Sequence, residues 1–189
     1  MRLLIVFLLL ACAGPAAAQS AAPAPDPVAL AKPALERATV AARAGRWPAA
    51  AVDLRAARET LRKAAGEKDP RTLHAGALLV EALTRANALE DAIQEGAGLL
   101  PLFPQPALMP PDAISVRYFL ADAFARCTAA RCGPEGHRLT NIDALMETML
   151  TALAAYPKGD ARVAQLRTDF AAVCAQRYEP GDCAQAQGK

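Results

Sequence analysis

Alanine fills 47 of the 189 positions, and this constrains the fold more than any motif in the chain. Ala has the most favourable helix propensity because it surrenders no side-chain rotamer freedom when the helix forms. Valine and isoleucine are few and aromatic residues make up only 5%, too little for the interior of a β-sandwich or barrel. The expectation is an all-α protein, and the length fits one domain. Twenty-one basic and nineteen acidic residues leave a net charge of +2, too balanced for a nucleic-acid binder. No apolar run reaches the roughly 18–20 residues that a membrane-spanning helix requires.

The N-terminus reads as an export signal over residues 1–18. Met1-Arg2 is a short basic start, Leu3 to Ala11 is apolar, and Ala16-Ala17-Ala18 offers the small-x-small pattern of a cleavage site before Gln19. Residues 19–27, with Pro23, Pro25 and Pro27, read as an Ala/Pro-rich linker. Leu9-Leu10-Ala11-Cys12 also resembles a bacterial lipobox, in which Cys12 would carry a lipid and Ala13 to Val28 would be the tether. Soluble release is the preferred expectation, because twelve residues make a short lipoprotein signal. Cys127, Cys132, Cys174 and Cys183 then remain, an even number suited to an oxidising compartment. Three pairings are open. Local bridges, Cys127–Cys132 and Cys174–Cys183, are favoured because each pair brackets an expected helix end beside a Gly-Pro or Pro-Gly turn. Cys127, Cys132 and His137 do not follow the usual zinc spacings, so no metal is expected.

Helices are expected at about 28–44, 48–65, 70–86, 88–103, 112–130, 139–156 and 160–178, separated by Gly and Pro breakers. In the second, Trp47, Ala50, Ala51, Leu54, Ala57 and Leu61 form one apolar stripe. Arg55, Arg58, Glu59 and Arg62 fall on the other side and read most simply as a solvated face. Self-similarity runs beneath this pattern. Gly45, Trp47 and Ala50 recur as Asn87, Leu89 and Ala92, each 42 residues on. Gly and Asn tolerate the left-handed conformation that closes a helix, and the small residue lets two helices approach. A third, degenerate unit runs from Ala113 through Ala144 to Pro157. Such spacing of helix–turn–helix units signals a solenoid.

On Gly45-x-Trp47-x-x-Ala50, Leu54, Gly66-Glu-Lys-Asp69-Pro70-x-Thr72-Leu73, Asn87-x-Leu89-x-x-Ala92 and Pro104, the chain resembles the tetratricopeptide-repeat family, in particular its long kinesin-light-chain-like form. The resemblance covers residues 28–104 well and 112–157 weakly. It implies a domain over 28–178 of about three helix pairs with a capping helix over 160–178, followed by a tail over 179–189. It also implies that the first helix of each pair lines a concave groove. That places Leu35, Thr39, Arg43, His74, Ala77, Glu81 and Arg85 toward a partner, with Tyr118, Asp122 and Arg126 beyond them. The carboxylate clamp known in the family needs Lys and Asn where Leu35, Thr39 and Ala77 stand here, so grip of a chaperone tail is not implied. Arg43, Arg85 and Arg126 offer a basic stripe for an acidic segment, or are helix-end charges favoured by the dipole.

Residues for catalysis are sparse. Ser115 lacks the Gly-x-Ser-x-Gly elbow, and neither His-Glu-x-x-His nor a phosphate-binding loop occurs. Glu90 and Asp91 are sequence neighbours and do not face each other on a helix. Gly96 and Gly98 read as packing glycines. The sequence therefore leads to a non-catalytic, exported protein-binding adaptor or assembly factor of a bacterial envelope, without cofactor or metal. Two other readings remain: an envelope enzyme acting on peptidoglycan through paired acids, and a lipid-tethered structural domain. A deep site holding two carboxylates with raised pKa values would favour the enzyme.

Overall fold

A computed structural model describes residues 26–104, 108–127 and 135–177, with side chains over 135–141 and 173–177 left aside. The described residues are all-helical, with seven α-helices and no strand among them. They are α1 (Pro27–Arg43), α2 (Trp47–Ala65), α3 (Pro70–Arg85), α4 (Leu89–Leu99), α5 (Pro111–Arg126), α6 (Glu135–Ala154) and α7 (Ala164–Arg177). The export signal, most of the linker, Cys132, Cys183 and the C-terminal tail lie outside the described residues.

Local chemistry sets the helix starts. Asp26 and Asp69 cap α1 and α3, each accepting a hydrogen bond from the backbone N–H two residues on, at 3.0 and 2.9 Å. Pro27, Pro70 and Pro111 occupy the first helical position, where a missing N–H costs nothing. The same three helices end on Arg43, Arg85 and Arg126, cations at the negative end of the dipole.

The sixth helix starts at Glu135, ahead of the expected 139, and three other expected boundaries move for a visible reason. The fourth helix stops at Leu99 and tightens into a 3-10 turn over Leu100–Leu102, because Pro101 cannot continue the α-helical ladder. The fifth ends at Arg126, where Cys127 is already extended (φ −76°, ψ 136°). The last begins only at Ala164. Asp160 accepts from the N–H of Arg162 at 2.9 Å and from its guanidinium, which holds 160–163 as a turn.

Helices pack mainly on their neighbours in sequence: α1 on α2, α2 on α3, α3 on α4 and α5, α4 on α5, and α5 on α6. The stripe of α2 is buried as its period predicts, from Ala50 and Ala51 through Leu54 and Ala57 to Leu61. The joints after α1 and α3 share one hydrogen-bond pattern. Gly45 N–H donates to Ala42 and Arg46 N–H to Ala41, and 42 residues later Asn87 donates to Thr84 and Ala88 to Leu83. Gly45 and Asn87 both have positive φ, 70° and 61°. This is the Schellman closure, with its left-handed residue just past the helix. Ala50 and Ala92, placed beyond each joint, are both fully buried.

Candidate functional site

Helices α1 and α3 leave a cavity of about 230 Å³ between them. Leu35, Ala38 and Ala42 from α1 and Leu78 and Ala82 from α3 supply an apolar lining. Trp47, at the joint after α1, closes one side. Thr39, Arg43 and Glu81 are the polar residues that line it. Four of the residues expected to face a groove, Leu35, Thr39, Arg43 and Glu81, are thus brought to one cavity. A second cavity, about 220 Å³, shares Glu81 with the first and extends to α5 and α7. Arg85, Asp112, Ser115, Phe119, Arg162 and Asp169 line it.

Arg85 is the centre of this region. Its Nε donates to Glu81 at 2.8 Å, and its guanidinium carbon lies 4.9 Å from the Trp47 ring centroid and 5.4 Å from that of Phe119. One cation therefore lies over two rings, one at the joint after α1 and one within α5. Arg126 is equally engaged. It donates to the carbonyl of Thr84, to Asp122 and to the side chain of Asn87, at 3.0–3.1 Å. It thus ties the end of α5 to the joint after α3. Arg85 and Arg126 are consequently not free cations, and of the expected basic stripe Arg43 alone is an exposed guanidinium on the first cavity.

His74 stands exposed on α3, with Nδ1 3.0 Å from Asp112 at the start of α5. The Asp112 carboxylate raises its pKa above the ordinary 6.5. Tyr118, half-buried, has its phenol pushed up to about 12, mainly by burial and then by the nearby charges of Asp169 and Asp122. Ala77 departs from expectation. It is 2% exposed and packs with Leu73, Val80 and Leu99 inside the core, so it does not face the groove.

Arg58 departs from the solvated face expected on α2, since it turns toward α4, whereas Arg55 stays exposed and Glu59 and Arg62 pair on α2 itself. Arg58 is ion-paired with Glu95, both about one-fifth exposed, and Arg55 lies 3.2 Å from Asp91. These four residues line a third cavity, about 480 Å³, on the α2–α4 side. Both arginines there are paired within the lining, and Glu67 adds a further carboxylate to it. Glu59, Asp69 and Asp160 are held down at about 2, each first by hydrogen bonds from a neighbouring arginine. Such carboxylates stay ionised and are poor proton donors.

Sequence reading missed three groove residues. Asp112 and Phe119 lie on the degenerate unit, where the motif gives no register. Trp47 was assigned to the core stripe, yet as the first residue of α2 it is only half covered. Among the described residues no helix is long and apolar enough to cross a membrane, and no group of three potential metal ligands occurs. Comparison with models of protein families, with curated proteins and with solved structures finds no match for the chain.

Proposed function

We propose that this chain is an exported, non-catalytic adaptor or assembly factor of a bacterial envelope, and that it holds a protein segment in the α1–α3–α5 groove. In this reading the helix pairs form a short solenoid like that of tetratricopeptide repeats, with α7 as its cap. The observation that carries it is the pair of cavities joined at Glu81, with an apolar lining on one side and charges on the other. A bound segment there meets several helices at once, the mode of recognition natural to stacked helix pairs. The joints repeated at 42 residues support the solenoid part of the proposal.

Export and two local disulfides, Cys127–Cys132 and Cys174–Cys183, belong to the same proposal. Cys127 is 2% exposed at the end of α5, and the pairings themselves lie outside the described residues.

The test compares affinity capture from an envelope extract by the parent and by Thr39→Arg. Thr39 is exposed on the cavity wall, so an arginine there fills the groove without entering the core. The expected outcome is one partner retained by the parent, lost with Thr39→Arg, and kept by a control, Val52→Arg, on the 66%-exposed site of α2. A partner retained equally by all three proteins places binding elsewhere and overturns the groove reading.

A further inference from the structure

Resting on the groove reading, we propose that the segment it holds is basic: a bulky apolar residue enters the α1–α3 cavity while a nearby lysine or arginine enters the α3–α5–α7 cavity. The charges that line the second cavity carry the inference. Glu81 and Arg85 satisfy each other at 2.8 Å. Arg162 is taken up by Asp160, which accepts from both its Nε and its Nη2, so this guanidinium is neutralised from its own turn. Asp169 accepts from the neutral amide of Gln165, and Asp112 pairs with an imidazole that is cationic only when protonated. Two carboxylates, Asp112 and Asp169, therefore face the cavity without a permanent positive partner among its lining residues. The raised pKa of Tyr118 comes first from burial, and among the charges around its phenol the carboxylates Asp169, Asp122 and Glu81 act against the single cation Arg85.

The first cavity is different in kind. Its lining is apolar apart from Thr39, Arg43 and Glu81, so it accepts an aliphatic or aromatic side chain. Because both cavities include Glu81, one short segment spans them, with its cation toward α5 and α7. An acidic segment would meet Asp112 and Asp169 at close range, and the two arginines of that cavity, Arg85 and Arg162, are already engaged.

The probe is a phage-displayed library of random peptides selected on the mature protein, with winning sequences made as synthetic peptides and measured by calorimetry. Winners should carry Lys or Arg within a few residues of Leu, Phe or another large apolar residue. Their affinity should fall with added salt, and Asp169→Lys should weaken them roughly fivefold, the scale of a lost exposed ion pair plus a new repulsion. Asp112→Asn should shift affinity in the same direction, with helicity by circular dichroism confirming the fold of both variants. Winners that are acidic or uncharged but are lost with Thr39→Arg would overturn the charge inference and leave the groove reading standing. An empty selection, or winners indifferent to Thr39→Arg, would overturn both.

Discussion

Gly76 and Gly98 show how one residue type means opposite things at two positions. A Cβ on Gly76 would lie 2.9 Å from a methyl of Leu99, itself fully buried, and 3.2 Å from Nε of Arg58. A Cβ on Gly98 would meet nothing within 4 Å. Gly76→Ala is therefore expected to lose about 1 kcal/mol, since overpacking outweighs the gain in helix propensity. Gly98→Ala should gain up to about 1 kcal/mol, because there only the propensity changes. Urea unfolding of the two variants checks both signs. His74 yields a second residue-scale prediction. Its folded-state imidazole holds a proton more tightly than the ordinary 6.5, through Asp112. The pair's contribution is therefore fully present below about pH 6.5 and is lost as pH rises through the raised value. Thermal melts from about pH 6 to about pH 8 should show the parent losing more stability than His74→Gln, by a small margin because the pair is exposed.

Helix ends and faces carry the next level of information. The stripe of α2 and the joints at Gly45 and Asn87 were legible in the sequence, because few residues suit a left-handed closure and a one-sided stripe has one way to pack. At Asn87 (φ 61°) the side chain also accepts from Arg126. Asn87→Ala should then cost about 1–2 kcal/mol in strain alone. Asn87→Gly should cost less, since it loses only the Arg126 contact and keeps the backbone permitted. Gly45→Ala isolates the backbone term, as no atom lies within 4 Å of a Cβ there. Chemical denaturation of the three variants ranks them. The arginines were not legible in the same way. A guanidinium on a helix looks identical in sequence whether it meets water, as Arg43 does, or a neighbouring helix, as Arg58 and Arg126 do. Ala77 failed for a related reason, because an alanine carries no mark that separates a core position from a groove wall. The outward face of α1 shows the contrast between helices. Where α3 buries Leu79 and Ala82 against the first pair, α1 has exposed Arg37 and Val40 at the positions 42 residues earlier, with Arg37 paired to Asp53 at 2.7 Å.

At the scale of the whole molecule, stability is distributed unevenly along the chain. Ten residues of α3 are buried, more than in any other helix over which burial is described end to end, and α3 touches α2, α4 and α5. Outer helices have fewer neighbours. Native-state hydrogen exchange should find the slowest amides in α3 and earlier opening of α1, since arrays built on nearest-neighbour contacts fray from their ends. Uniform protection from α1 to α5 would contradict this picture. All-helical architecture was legible from composition and spacing alone. The placement of the fifth to seventh helices was less so, because Pro-rich and Asp-capped turns there interrupt the repeat.

The stacking of Arg85 on Trp47 has an experimental consequence of its own. Trp47 is the single tryptophan of the chain, half-covered, and part of the wall of the first cavity. The protein thus carries one indole fluorophore, excited at wavelengths where its three tyrosines do not absorb and placed where a ligand would displace water from the ring. Filling the groove should shift its emission to shorter wavelength, and unfolding should shift it to longer wavelength. Occupancy and folding can then be followed separately in one unlabelled sample.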